Sequence, residues 1–177
     1  MEKLRSLDID AFSKSFSVKR MHIEDASMIY EMTRQNLQYY EFCGRENVEE
    51  DIENDLMICP PGKSSEEKYY VGFFEGDTLV AVMDLIDGYP DETTAYLGFF
   101  MMNQAYQGKG IGTKVVSELF SYLKEIGFKT VSLGYEKSNP QSSHFWKKNQ
   151  FHAVREVMQE DAIIVVAERF IDNGEEK

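Results

Sequence analysis

Eight residues, Tyr106-Gln107-Gly108-Lys109-Gly110-Ile111-Gly112-Thr113, restrict this chain more than any other stretch. An apolar run, Leu97 to Met102, leads into them, and a strongly periodic helix ending near Gly127 leads out. A strand that enters a glycine-rich turn and leaves it as a helix aims backbone N–H groups and a positive helix end at one point, which makes an anion cradle. Three phosphate-binding loops share these parts and differ in spacing. The dinucleotide fingerprint G-x-G-x-x-G fails, because after Gly108 and Gly110 the third glycine arrives one residue early, at Gly112, and position 113 is Thr. The Walker loop fails because this stretch holds no Gly-Lys-Ser/Thr triplet, Gly108-Lys109 being followed by Gly110. What remains is Q-x-x-G-x-G, read as Gln107, Gly110 and Gly112. Alone, this hexamer equally suits a plain strand-to-helix connection, so the flanking chain has to discriminate.

Along the chain, residues 1–15 show no clear period and are expected to form a loose arm. Phe16, Val18 and Arg20 begin a short strand. From about Glu24 the pattern turns helical, with Ala26, Ile29, Tyr30, Met32 and Leu37 recurring at three- and four-residue steps. A second helix is predicted between Val48 and Met57, and Pro60-Pro61-Gly62 ends it. Tyr69 to Phe74 and Thr78 to Ile86 read as strands of an antiparallel hairpin about Glu75-Gly76-Asp77, and Ala95 to Met102 as a third strand. A three-strand meander before the glycine loop excludes a Rossmann unit, which begins strand, helix, strand. After the loop, Val115, Val116, Leu119, Phe120, Leu123 and Ile126 form one apolar stripe, and Gly127 stands at the helix end. Thr130 to Tyr135 is the next strand, so Leu97 to Tyr135 forms a crossover unit with its two strands parallel. Asn139-Pro140 starts a helix that runs to about Asn149, and strands Phe151 to Val157 and Ala162 to Phe170 close a single domain over 16–172. Asn173 to Lys177 is expected to be a frayed tail.

Charge narrows the function classes. Lys plus Arg number 19 against 31 Asp plus Glu, a net −12, which speaks against nucleic acid or anionic lipid as partners. A cationic substrate would suit that charge, although acidity also simply keeps chains dissolved. Cys43 and Cys59 form no C-x-x-C and stand near no histidine pair, so no metal site and no disulfide framework is expected. The charged start and the shortness of the longest aliphatic run, Ala162 to Ala167, predict a cytoplasmic protein without a membrane span.

The hexamer at 107–112 resembles the pyrophosphate loop of the GNAT superfamily of N-acetyltransferases, which bind acetyl-coenzyme A. A second stretch, Asn139 to Phe151, is similar to that superfamily's C-terminal signature N-x-x-A-x-x-x-Y-x-x-x-G-F: Asn139 and Phe151 match, Ser142 replaces Ala, Trp146 replaces Tyr, and Gln150 replaces Gly. The resemblance implies an α/β (α+β) single-domain fold: a mixed, mostly antiparallel sheet of six to seven strands with a splayed central parallel pair, flanked by about four helices. It implies that the coenzyme's pantetheine arm pairs with backbone at Phe100, Met101 and Met102, and that its diphosphate lies on the N–H groups of Gln107, Gly108, Lys109, Gly110, Ile111, Gly112 and Thr113. Asn139, Ser142 and Trp146 would complete the coenzyme wall, with Lys109, Lys114, Lys147 and Lys148 as candidate phosphate partners.

The implied chemistry is acyl transfer to a primary amine of a small molecule or peptide, with acetyl-coenzyme A as cosubstrate, no metal, and a monomeric or homodimeric protein. A backbone N–H near Met102 would stabilise the oxyanion, a fixed dipole of the kind that contributes ~3 kcal/mol. The base is the open question, since Ala95 to Met102 carries no Asp or Glu. Asp84 and Glu136, each at a strand end, are the candidates, with Glu92 a third; Tyr135, or a water held by Ser142 or Ser143, would replace the missing Tyr as thiolate acid. His22, His144 and His152 are read as structural or surface residues. Two rival readings stay open: an acyl-coenzyme-A-binding module without catalysis, and a nucleotide-binding protein using the same loop. The acceptor is not encoded by any motif, although Tyr39-Tyr40-Glu41-Phe42 could line its cleft or an oligomer contact.

Overall fold

The computed structural model describes residues 5–44 and 46–172, so the tail expected over 173–177 lies outside the described residues. Among them, seven strands form one sheet in the order β1-β2-β3-β4-β5-β7-β6: β1 (Ser17–Arg20), β2 (Lys68–Glu75), β3 (Thr78–Asp87), β4 (Thr94–Met102), β5 (Thr130–Glu136), β6 (His152–Gln159) and β7 (Ala162–Phe170). Every neighbouring pair is antiparallel except β4 with β5, which is parallel, as the crossover unit requires. Five α-helices cover it: α1 (Ala26–Thr33), α2 (Leu37–Cys43), α3 (Glu49–Met57), α4 (Ile111–Glu125) and α5 (Pro140–Lys148).

The sheet buries both faces. The predicted stripe of α4, Val115, Val116, Leu119, Phe120 and Leu123, packs on one face together with Trp146 of α5 and Phe151. Ala26, Ile29 and Met32 of α1 and Ile52 of α3 pack on the other. Two-sided burial explains why β3 reads as a nearly unbroken apolar run from Leu79 to Ile86 rather than as an alternation.

Two expectations change. Residues 5–15 are not a loose arm: Phe12 is fully buried and a short 3₁₀ turn, Ile9–Phe12, lies across α4 and the sheet. Polar ties hold this segment where periodicity gives no sign of it. Leu7 N–H donates to Tyr69 Oη (3.1 Å), Asp8 N–H to Tyr122 Oη (2.8 Å), and Arg5 pairs with Asp87 (2.6 Å). Glu118 of α4 accepts from Ser13 Oγ (3.0 Å), Ser15 Oγ (2.8 Å) and the N–H groups of Lys14 and Ser15 (3.2 Å each).

The second change concerns the helix from Glu24 to Leu37, which is broken into α1 and α2. Asn36 leaves helical geometry (φ −86°, ψ 59°), and its side-chain amide donates to the carbonyl of Met102 at the end of β4 (3.2 Å). An Asn that can bond backbone elsewhere competes with the helix ladder, and here the tertiary bond prevails over the periodic pattern.

Four donors converging on Glu118 hold its carboxyl below its ordinary value: burial pushes it up, and the hydrogen bonds from the side chains of Ser15 and Ser13 and from the backbone of Ser15 and Lys14 outweigh that push. Glu118→Ala should therefore cost about 1–3 kcal/mol in urea unfolding at neutral pH. A depressed carboxylate stabilises above its unfolded pKa and loses that contribution as pH falls through the folded one, so the gap between parent and variant should close in acid.

Candidate active site

The parallel ladder between β4 and β5 stops early. It pairs Thr94 with Thr130 through Leu97 with Leu133 and no further. Beyond that, β4 stays paired to β3 as far as Met102 with Ala81, and β5 stays paired to β7 as far as Glu136 with Ile164. The facing edges, Gly98 to Met102 and Gly134 to Glu136, therefore diverge inside the sheet and carry backbone N–H and C=O groups without a ladder partner. Gly98 and Gly134 are exposed although each lies on a central strand.

Both glycines are required by close approach. A Cβ on Gly98 would stand 2.9 Å from Asp84 Oδ2, and one on Gly134 would stand 2.9 Å from Ile164 Cγ2. The register explains the first contact: Asp84 opposes Phe99 and Leu85 opposes Leu97, so Gly98 is the extra residue of a β-bulge.

Two clefts open at the divergence. The smaller, about 60 Å³, is walled by Leu97 to Phe100, Leu133 to Glu136, Tyr39, Cys43, Asn139, Ser142 and Trp146. The larger, about 390 Å³, continues past Phe100, Met101 and Met102 to Gln107, Gly108, Gly110, Gly112 and Thr113, with Ser142, Phe145, Trp146 and Lys148 opposite. Of the residues expected to hold a coenzyme, Lys109 and Ile111 line neither cleft and Asn139 lines only the smaller one.

At the loop, Gly108 and Gly110 take positive φ (74° and 76°), a geometry that side chains resist. Lys114 N–H is bonded to the Gly110 carbonyl (3.1 Å), while the N–H groups of the first turn of α4, at Ile111, Gly112 and Thr113, have no carbonyl one turn behind them inside the helix. Gln107 behaves differently from its neighbours. Its N–H closes a 3₁₀ turn onto Gln104 (3.2 Å), and its side-chain amide donates to Met102 O (3.1 Å) and to Asn36 Oδ1. It locks the end of β4, and the row of outward N–H groups starts after it. Gly112 sits close under Phe145, where an added Cβ would stand 3.2 Å from Cε2, and this lets α4 approach α5.

Asn139 caps α5, accepting from the N–H groups of Gln141 and Ser142 (3.1 Å each), and this sets Trp146 into the cleft wall. Trp146 is 8% exposed and packs against Phe100 (5.9 Å between centroids), Phe145 (4.7 Å) and Phe151 (5.2 Å). Of the four candidate lysines only Lys148 lines the larger cleft; all four are exposed.

Among the carboxylates, Glu136 lines the smaller cleft from the end of β5, and Glu92 lies on the β3–β4 loop, where its carbonyl accepts from Arg5 (2.8 Å). Asp84 is buried, is not at a strand end, and is paired with Lys68 at 2.6 Å, with side chains 11% and 3% exposed. Its other oxygen, Oδ1, has no hydrogen-bond partner. Burial pushes the Asp84 carboxyl above its ordinary value, Lys68 pulls it back, and the charge of Asp55 adds to the rise. The Tyr70 phenol beside it is pushed far up by burial and by the charges of Asp55 and Asp84, and so stays neutral. Tyr135 is buried on the wall of the smaller cleft.

Asn36, Lys68 and the bulge at Gly98 carry no sequence motif. Lys68 could have been found from the hairpin register alone, since Tyr70 opposes Asp84 and Lys68 is the diagonal neighbour two residues away.

The family model described as Acetyltransferase (GNAT) family matches residues 26–151. Among solved structures, an acetyltransferase from Thermus thermophilus is similar over 88% of this chain and 96% of its own, at 20% identity and TM-score 0.71. PaiA N-acetyltransferase from Thermoplasma acidophilum, in complex with coenzyme A, is similar over 88% and 99%, at 19% identity and TM-score 0.63. The ribosomal-protein-S18-alanine N-acetyltransferase from Escherichia coli is similar over 90% and 96%, at 14% identity and TM-score 0.64. At these identities the likeness concerns the fold. No curated protein sequence matches the chain.

The buried pair at Lys68 and Asp84 makes a sharp energetic prediction. Lys68→Met leaves an unpaired carboxylate under the sheet and should cost about 3–5 kcal/mol in urea unfolding, while Lys68→Met combined with Asp84→Leu should recover most of that loss. A single variant as stable as the parent would mean that water, not Lys68, satisfies Asp84.

Proposed function

The chain belongs to the GNAT acetyltransferase family, and from that premise we propose that it transfers the acetyl group of acetyl-coenzyme A to a primary amine of a small molecule or peptide. The observation that carries this reading is the divergence of β4 from β5, which opens towards the glycine loop and leaves Gly98, the close neighbour of Asp84, on the cleft wall.

The residues fit the cosubstrate. Unladdered groups on Gly98 to Met102 can pair with the amides of an extended pantetheine arm as a further strand would. The N–H groups from Gly108 to Thr113 and the positive end of α4 can receive the diphosphate. When bound, acetyl-coenzyme A supplies a thioester carbonyl, and the balance is fixed: a C–N bond forms, the C–S bond breaks, and an alkylammonium gives up two protons, one to solvent and one to the departing sulfur.

The protein has to remove the first of these, because an alkylammonium with pKa near ~10 is not a nucleophile. Asp84 is our choice for that acceptor. It lies beside Gly98 of the bulge, its Oδ1 is unpartnered, and its raised pKa brings it closer to the working pH than an ordinary carboxylate. Glu136 lines the smaller cleft and is the second choice. A free N–H on the edge of β4 near Met102 supports the oxyanion. Tyr135 lines the cleft on the β5 side and is our candidate to return a proton to sulfur, since the indole of Trp146 is no useful acid. A coenzyme-binding module without catalysis is not favoured: it rested on the missing carboxylate of β4 and on Trp146 in the place of the usual Tyr, and the register brings Asp84 alongside that strand.

Purified protein given acetyl-coenzyme A and a panel of primary amines should release free thiol. Asp84→Asn should lower kcat/KM by about 10²-fold or more with coenzyme binding retained. The parent rate should fall as pH drops through the raised pKa of Asp84, because the base must be ionised, and the variant should lose that acid limb. A variant within about twofold of the parent would remove Asp84 from the mechanism.

A further inference from the structure

The strand that borders the opening is pinned at its end from two sides. Asn103 N–H donates to the Val80 carbonyl (2.7 Å), towards β3, so the polar backbone of Met102, one residue earlier, points the other way, into the opening. There the Met102 carbonyl accepts from Asn36 Nδ2 (3.2 Å) and from Gln107 Nε2 (3.1 Å), which takes up both of its lone pairs. Asn36 Oδ1 accepts from Gln107 Nε2 in turn. The same bonds hold the N–H of Met102 in the opening.

Asn36 is also the joint between two helices. Its N–H donates to the Thr33 carbonyl (3.0 Å) at the end of α1, and its own carbonyl accepts from Tyr39 N–H (3.1 Å) at the start of α2. Its side chain is buried and lines the larger cleft. Each of the seven residues of α2 is exposed or half-buried, with Leu37 at 77%. Apolar burial therefore does little to fix this helix, and a helix this short has little stability of its own, so the polar tie at its start sets its place. That place matters because α2 is a wall of the opening. Tyr39 and Cys43 line the smaller cleft together with Gly98 and Gly134, and Tyr39 also lines the larger cleft and a third, of about 20 Å³, between α1, α3 and the sheet.

We propose that Asn36 is a positioning residue for the transfer: through the Met102 carbonyl it fixes the α2 wall, along which the amine arrives, at a set distance from the strand that holds the thioester. This rests on the acetyl-transfer reading above. Asn36 takes no part in the bond changes. It acts on the amine through α2 and on the oxyanion donor through Met102. The reacting atoms have to meet within a narrow range, and a misplacement of about 1 Å costs on the order of 10²-fold in rate. Coenzyme affinity stands apart from this tie, since the diphosphate cradle begins after Gln107 and the arm has Gly98 to Phe100 to pair with.

Two substitutions at Asn36 and one beside it discriminate. Asn36→Asp keeps the size and the acceptor for Gln107 and loses the donor to Met102, while Asn36→Ala loses both. Asn47→Ala is the control, because Asn47 Nδ2 donates to Thr33 Oγ1 (2.9 Å), a tie at the same joint that does not reach β4. Coenzyme A affinity is measured by calorimetry, turnover by thiol release with acetyl-coenzyme A and the best amine of the panel, and α2 by hydrogen exchange with and without coenzyme A. Both Asn36 variants should lose at least about tenfold in kcat while coenzyme A affinity stays within about threefold, and Asn47→Ala should stay within about threefold on both. Coenzyme A should slow exchange of the Tyr39 and Tyr40 amides in the parent and in Asn47→Ala, and not in the Asn36 variants. A kcat within about twofold of the parent in Asn36→Asp, an equal loss in Asn47→Ala, or slowing that survives in both Asn36 variants overturns the assignment. If exchange follows the expected pattern and the parent acetylates no amine, the tie stands and the acetyl-transfer reading falls. Acetylation by both Asn36 variants at the parent rate does the reverse.

Discussion

The structure turns on where a hydrogen-bonded ladder ends. Four register pairs join β4 to β5, and after Leu97 and Leu133 each strand keeps only its outer neighbour. Backbone groups inside a sheet have no reason to stay unpaired unless something holds the strands apart. Here the bulge at Gly98 turns β4 away, and the amides of Asn36 and Gln107 fasten its far end by the Met102 carbonyl. The cleft thus depends on what is fixed at both ends of one strand segment, the bulge at Gly98 and the bonds at Met102.

A second dependency links the two faces of the sheet. The glycine loop and the larger cleft lie on the side of α4 and α5, while Asp84, Tyr70 and Phe99 belong to the side of α1 and α3. Tyr39 borders all three clefts, because α2 reaches over the end of β4. A reaction between a ligand on one side and a ligand on the other can occur only through the opening in the sheet, so the same divergence that receives one reactant also exposes it to the second.

Much of this was legible in the sequence, and the failures have physical causes. The glycine loop, the stripe of α4 and the cap at Asn139 are local patterns, so the loop and both flanking helices fell in place, and the meander followed from turn residues and apolar runs. The family and the sheet with its parallel pair were likewise readable from two partial motifs at the right separation. What escaped was non-local. The break at Asn36 exists because of a carbonyl 66 residues away, and the N-terminal segment is held by Tyr69, Glu118 and Tyr122, none of which its own sequence announces. Gln107 matched a motif position while its side chain does a different job, which no motif could reveal. Lys68 fell one residue outside the predicted strand, and its partner is apparent only once the hairpin register is known.

Gly98 and Gly134 face each other's strands across the opening, and each is hemmed in where a methyl group would stand. The working interior of this protein is therefore defined by what two positions lack. Variation that reshapes the choice of ligand has to come from the surrounding walls, such as Tyr39 and Cys43 of α2, while the two bare backbone sites stay fixed. A lineage could thus change what it accepts many times over without altering the doorway through which it accepts it.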